Sequence, residues 1–169
     1  MIPEPQPIVA TPVLVGELNP YGAHPSLALY DRPTGSAGER MRRLVCAVQP
    51  WRYRAFSRHN LCTEKWETRS ARASAAHLHT AYRGRVLVLL GRKVARAFGL
   101  VDVEAFTLHR PYGHTLVDGD PTLYVVLPHP SGLCREWGEP GAFARARNLL
   151  REACPEVPWG EALDEGSCP

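Results

Sequence analysis

The chain has 169 residues, 44% of them hydrophobic, with 20 Lys and Arg against 17 Asp and Glu. That length predicts one domain with a real core, and the apolar content is that of an ordinary globular protein. No run approaches the roughly 20 residues of a membrane span, Met1–Ala10 lacks the regions of a secretion signal, and five Cys without a C-x-x-C pair do not suggest a disulfide framework.

These exclusions lead to an expectation of a cytoplasmic protein, taken to be a monomer. The net charge of +3 is uneven. Residues 155–169 hold Glu156, Glu161, Asp164 and Glu165 and no base, which leaves +7 on residues 1–154. The arginines cluster, as at Arg40, Arg42 and Arg43 and at Arg52, Arg54 and Arg58. A basic body suits a polyanion such as DNA; solvated surface arginines are the plainer explanation.

In chain order, residues 1–11 carry Pro3, Pro5 and Pro7 and predict an extended arm. Residues 12–154 read as the domain, and 155–169 as a loosely held acidic, Pro-containing tail. A first strand covers about Val13–Gly16. Ala23–Pro33 reads as a loop. Ser36-Ala37-Gly38-Glu39 is a capping-box pattern, predicting a helix over about Ala37–Val48 with Arg40 and Arg43 on its exposed side, ended by Pro50. Trp51–Cys62 interleaves aromatics with arginines. It fits a half-buried strand with snorkelling arginines, or a segment that stacks bases and holds phosphates.

Trp66–Tyr82 predicts an alanine-rich helix stopped by Gly84. His77 and His79 are two apart, so on a helix they diverge and make a poor metal pair. Arg85–Leu90 is the clearest buried strand, followed by a short helix, Arg92–Phe98, and a stop at Gly99. Phe106–Leu116 and Thr122–Leu127 flank a turn signal and form a hairpin or a loop feeding the last strand. Pro140–Ala153 predicts a final amphipathic helix with Phe143, Ala146, Leu149 and Leu150 inward. Strands alternating with helices argue an α/β layered domain with a mainly parallel sheet.

Two strand ends carry chemistry. Leu123–Leu127 is an apolar strand that stops at Pro128 and delivers His129-Pro130-Ser131-Gly132. Pro12–Gly16 likewise ends in Glu17-Leu18-Asn19-Pro20-Tyr21-Gly22. In open α/β sheets, ligands bind at the carboxyl ends of strands. If the two strands share a sheet, these residues face a common crevice.

The residues GELNPYG at 16–22 and HPSGLCR at 129–135 resemble the first and last motifs of the uracil-DNA glycosylase superfamily, in the right order. Between them, RPTGSAGERMRRL at 32–44 is similar to the Gly-rich turn and helix after that first motif, and Asn60 stands where the family places a base-reading Asn. The resemblance implies a three-layer α/β/α sandwich around a four-stranded, mainly parallel sheet. It implies a monofunctional glycosylase that flips uracil, or a related pyrimidine, out of DNA and hydrolyses its N-glycosidic bond.

By the same resemblance, His129 donates to the pyrimidine O2 as charge develops there. Asn19 or Glu17 holds the attacking water. The register with Asn19 is preferred because Pro20 and Tyr21 come with it. Tyr21 lies against C5 of the base, Asn60 pairs with O4 and N3–H, and Tyr30 is the nearest aromatic candidate for stacking. Leu133 enters the duplex as the base leaves, and Ser131, Gly132, Arg135, Gly35 and Ser36 approach the DNA. Two departures stand out. The five Cys do not match the four spaced ligands of the iron–sulfur branches, so no cluster, cofactor or metal is expected. Thr34 also stands where some branches carry Phe. Two other functions fit such a scaffold: a non-catalytic DNA- or protein-binding module, and an enzyme for other modified bases or nucleotides.

Overall fold

The computed structural model describes residues 11–18, 24–111 and 120–160. Among these, five strands form one sheet: β1 (Val13–Leu18), β2 (Ser57–Cys62), β3 (Val86–Leu90), β4 (Thr107–His109) and β5 (Leu123–Leu127). Their order is β2-β1-β3-β5-β4. The first four run parallel, and β4 pairs antiparallel with β5. The sheet therefore has five strands rather than the expected four. The extra one is a three-residue edge strand, too short to leave a periodic signal.

Strands β3 and β5 and the first part of β1, Val13–Val15, are apolar because the sheet is covered on both faces. Alternate residues enter opposite cores. Leu14, Val88, Leu90, Val125 and Leu127 pack with Met41, Tyr53, Ala146 and Leu150. Val13, Val15, Leu87, Leu89 and Val126 pack with Ala71, Ala75, Leu78, Val94 and Ala95. The second layer comes from α3 (Thr68–Ala81) and α4 (Arg92–Ala97).

The first layer departs from expectation in three places. The helix opening at Ser36 is α-helical only over α1 (Ala37–Arg40) and π-helical over Met41–Cys46, ending at left-handed Ala47. Pro50 does not merely stop that helix; it opens another, α2 (Pro50–Arg54), because its fixed φ suits a first turn. Trp51–Cys62 is thus a short helix followed by β2, not one strand. The final helix, α5 (Ala142–Ala153), buries Ala142, Ala146, Arg147 and Leu150, while Phe143 and Leu149 are only partly covered. Arg147 is 1% exposed; its Nη1 donates to Leu44 O at 2.7 Å, satisfying a carbonyl near the end of the π-helical turn.

The tail is not loose over its first part. Val157 and Trp159 are buried, and Trp159 packs on Phe56 with ring centroids 5.8 Å apart. Trp159 Nε1 donates to Cys154 O at 2.9 Å, and Gly160 N–H donates to Cys46 O at 3.2 Å. Two apolar anchors outweigh the acidic, Pro-containing composition that suggested a free segment.

Candidate active site

From β1 the chain crosses to β2 on one side and then returns to β3 on the other, so strand order reverses between β1 and β3. The crevice at their carboxyl ends is the place this topology offers a ligand. Glu17 lies at the end of β1, Gly91 follows β3, and His129 follows β5.

Gly91 brings the other two together. Its φ is +106°, a conformation that favours glycine, and its N–H donates to Leu127 O at 2.8 Å. A Cβ added there would stand 3.3 Å from Glu17 Oε1 and 3.4 Å from His129 Cβ. The carboxylate and the imidazole stem thus flank one bare stretch of backbone. Lys93, the second residue of α4, places Nζ 3.8 Å from Glu17 Oε2.

His129 is held by its main chain. Trp137 Nε1 donates to His129 O at 2.9 Å, and the indole stacks on Phe143 with centroids 5.2 Å apart. Burial pulls the His129 pKa below its ordinary value; Glu17 opposes this and Lys93 reinforces it. A neutral imidazole has one N–H to donate.

Asn60 lies on β2 opposite Gly16 of β1. Its Oδ1 and Nδ2 are both buried and make no hydrogen bond within the described residues. Such an amide is costly to leave unsatisfied unless a ligand completes it.

The loop after His129 is closed by Cys134 N–H donating to Ser131 O at 3.2 Å. Gly132, Leu133 and Arg135 are exposed, Leu133 to 93%, while Ser131 is half-buried. The Arg40 guanidinium reaches this loop, 3.9 Å from where a Gly132 Cβ would be. Arg40 is therefore half-buried against this loop, not on the exposed helix face that the sequence predicts. Its Nε is buried without a partner in the described residues.

Tyr30 is half-buried on the wall of a separate cleft, with Arg54 5.8 Å over its ring. Ser36 caps α1: its hydroxyl accepts from Glu39 N–H at 3.1 Å and donates to Tyr30 O at 3.3 Å. Gly35 N–H donates to Glu39 Oε2 at 3.3 Å. Gly35 and Ser36, both expected to approach DNA, thus have these hydrogen-bond partners within the chain. Asn19 and Tyr21 lie outside the described residues.

The structure brings Glu17 and His129 together and sets Asn60 beside the residue preceding Glu17. Sequence reasoning missed Gly91, Lys93 and Trp137. The available signal was a Gly directly after the most apolar strand, at the same strand-end position that made Glu17 and His129 candidates. Among the described residues, no three His, Cys, Asp or Glu side chains gather as a metal site, and no helix is long and apolar enough to cross a membrane. His79, for example, is held between Tyr124 Oη at 2.6 Å and Asp120 Oδ2 at 3.0 Å. Comparison with protein-family models finds no match, and comparison with curated proteins finds none.

Proposed function

We propose that the chain is a monofunctional DNA glycosylase that hydrolyses the N-glycosidic bond of uracil, or a related modified pyrimidine, in DNA. The observation that carries this reading is the placement of Glu17 and His129 on either side of Gly91, at the carboxyl ends of parallel strands. Cleaving the bond leaves negative charge on the departing base and positive character at C1′. A neutral imidazole N–H at the pyrimidine O2 stabilises the first. A water held by Glu17, or by Asn19 in the other register, attacks C1′, and a carboxylate can take its proton.

The unsatisfied Asn60 amide supports a base-reading role. Its N–H donates to uracil O4 and its carbonyl accepts from N3–H, completing both orphaned atoms. Cytosine reverses both groups and leaves them mispaired. Extrusion of the base is the step that would bring it to this amide.

The test is a labelled oligonucleotide with one uracil, single- or double-stranded, followed by alkali. The expected result is strand scission with the wild type and loss of most of it with His129→Ala. Removing one such donor typically costs on the order of 3 kcal/mol, about a hundredfold in rate. No alkali-labile product from either substrate, at enzyme excess, would overturn the proposal.

A further inference from the structure

A second surface stands apart from the strand-end crevice. Residues 30–58 hold seven arginines and two acids, a surplus of five positive charges where the whole chain carries only +3. They build most of a cleft of about 790 Å³ whose charged lining is Arg32, Arg42 and Arg54 against Asp31 and Glu39, with Tyr30 and Pro50 on its wall. Asp31 fixes two of its guanidiniums, with Arg54 Nε at 3.1 Å and Arg42 Nε at 3.6 Å. One buried carboxylate between two arginines orients them without neutralising both.

Aromatic rings accompany this charge. Trp51 follows Pro50 on α2 and is 66% exposed, an unusual position for so large an apolar ring. Arg52 lies over it, 4.5 Å from the ring centroid, just as Arg54 lies over Tyr30. A flat π surface backed by a guanidinium, one residue along the chain from Pro50 of the cleft wall, supplies with the cleft's arginines the two parts that hold single-stranded nucleic acid. Bases stack on the ring while arginines follow the phosphates. In a duplex the bases are already stacked on each other, so the ring has no face to take.

We propose that this surface binds single-stranded DNA, with Trp51 stacking one unpaired base and Arg32, Arg42 and Arg54 following the backbone through the cleft. The proposal rests on the DNA reading above for the identity of its polyanion. It adds that the strand is held unpaired on the α1–α2 side of the molecule.

The probe is a fluorescein-labelled oligothymidine of about twelve nucleotides, within the range of single-strand site sizes, followed by anisotropy. It contains no uracil, so binding is read independently of excision. Trp51→Ala is expected to weaken it about five- to a hundredfold, the range for removing one stacking aromatic. Trp51→Phe is expected to keep most of the affinity, and a matched duplex is expected to bind Trp51→Ala as it binds wild type. Arg32→Ala should lower the salt slope by about 0.7, the single-strand value for one phosphate contact, whereas Trp51→Ala should leave it unchanged. Because Trp51 is exposed, its variants should melt with the wild type.

An unchanged affinity in Trp51→Ala overturns the proposal, as does an equal loss on duplex. So does displacement of the oligothymidine by poly-glutamate as readily as by unlabelled strand, which marks an unselective polyanion face. Intact binding with no excision of uracil would sink the glycosylase reading and leave this one standing.

Discussion

Asn60 Oδ1 sits 2.5 Å from where a Cβ on Gly16 would stand, so the amide lies directly over the bare backbone of the neighbouring strand. Leu29 Cδ2 would be 3.1 Å from the same point. Gly16 is thus a glycine because a side chain has folded into its place, and that side chain has neither polar atom hydrogen-bonded among the described residues.

This arrangement predicts that Asn60 lowers stability. Asn60→Leu keeps the shape and removes two unsatisfied atoms, so it is expected to stabilise by about 1 kcal/mol, the lower end of what one unsatisfied buried group costs. Gly16→Ala should destabilise by about 1–3 kcal/mol through overpacking, and by a different amount when residue 60 is changed with it, since touching sites do not add. Urea denaturation of the two single variants and the double variant measures both effects. A loss of stability in Asn60→Leu would mean that the amide is satisfied in the folded protein.

How much of this was readable in the sequence depended on where each segment is buried. β1, β3 and β5 are covered on both faces, so their runs of Val and Leu announce them. β2 is an edge strand that gives part of one face to Arg58 and Asn60, which blurs the pattern. α2 has five residues, fewer than two helical turns, and carries no period to detect. Arg147 sits between the apolar positions of α5 with a charge that argues for solvent, yet the Leu44 carbonyl holds it inside. At the site, Glu17, Asn60 and His129 were legible because strand ends and motifs select them. Lys93 was hidden among Arg92 and Arg96, where only the fold separates the lysine facing Glu17 from its neighbours.

The C-terminal segment gives a second prediction. Trp159 and Val157 fill the core beside Phe56, and Arg151 Nη2 donates to Gly160 O at 2.7 Å. Ending the chain after Gly160 keeps these contacts. It removes Glu161, Asp164 and Glu165, so DNA binding should tighten at low salt. Ending it after Cys154 deletes the buried Trp and should cost at least the roughly 3–5 kcal/mol of a core Trp→Ala change. Equal melting temperatures for the two truncations would show that 155–160 contributes nothing to the fold.

A third prediction separates a wedge from a packing residue. Leu133 is 93% exposed, so Leu133→Ala should alter stability by no more than about 0.5 kcal/mol. If it enters the duplex, excision of uracil from double-stranded DNA should fall about tenfold, part of the few kcal/mol that unstacking a step costs. Excision from a single strand should hardly change. Single-turnover rates on the two substrates decide it; parallel losses on both would remove Leu133 from base extrusion.

The last prediction concerns the protonation of His129. Its pKa is depressed first by burial; Lys93 pushes the same way, and Glu17 pushes back. In the folded protein the imidazole therefore stays neutral at pH values where the unfolded chain already binds a proton. That linkage makes His129's contribution to stability complete above its unfolded value of about 6.5. The contribution is lost as pH falls from there through the folded pKa. Excision should have an acid limb over the same lower range, since imidazolium neutralises the charge pattern around Glu17. The two neighbours should move that limb in opposite directions. Lys93→Gln removes a like charge and should raise the His129 pKa, carrying the limb to higher pH. Glu17→Gln removes the opposing carboxylate and should lower it further. NMR titration of the His129 ring in each variant gives the pKa without requiring turnover, and pH–rate profiles of wild type and Lys93→Gln give the limb. Shifts of the same sign in both variants would break the link between these three side chains. With it would go the assignment of Glu17, Lys93 and His129 to one electrostatic unit.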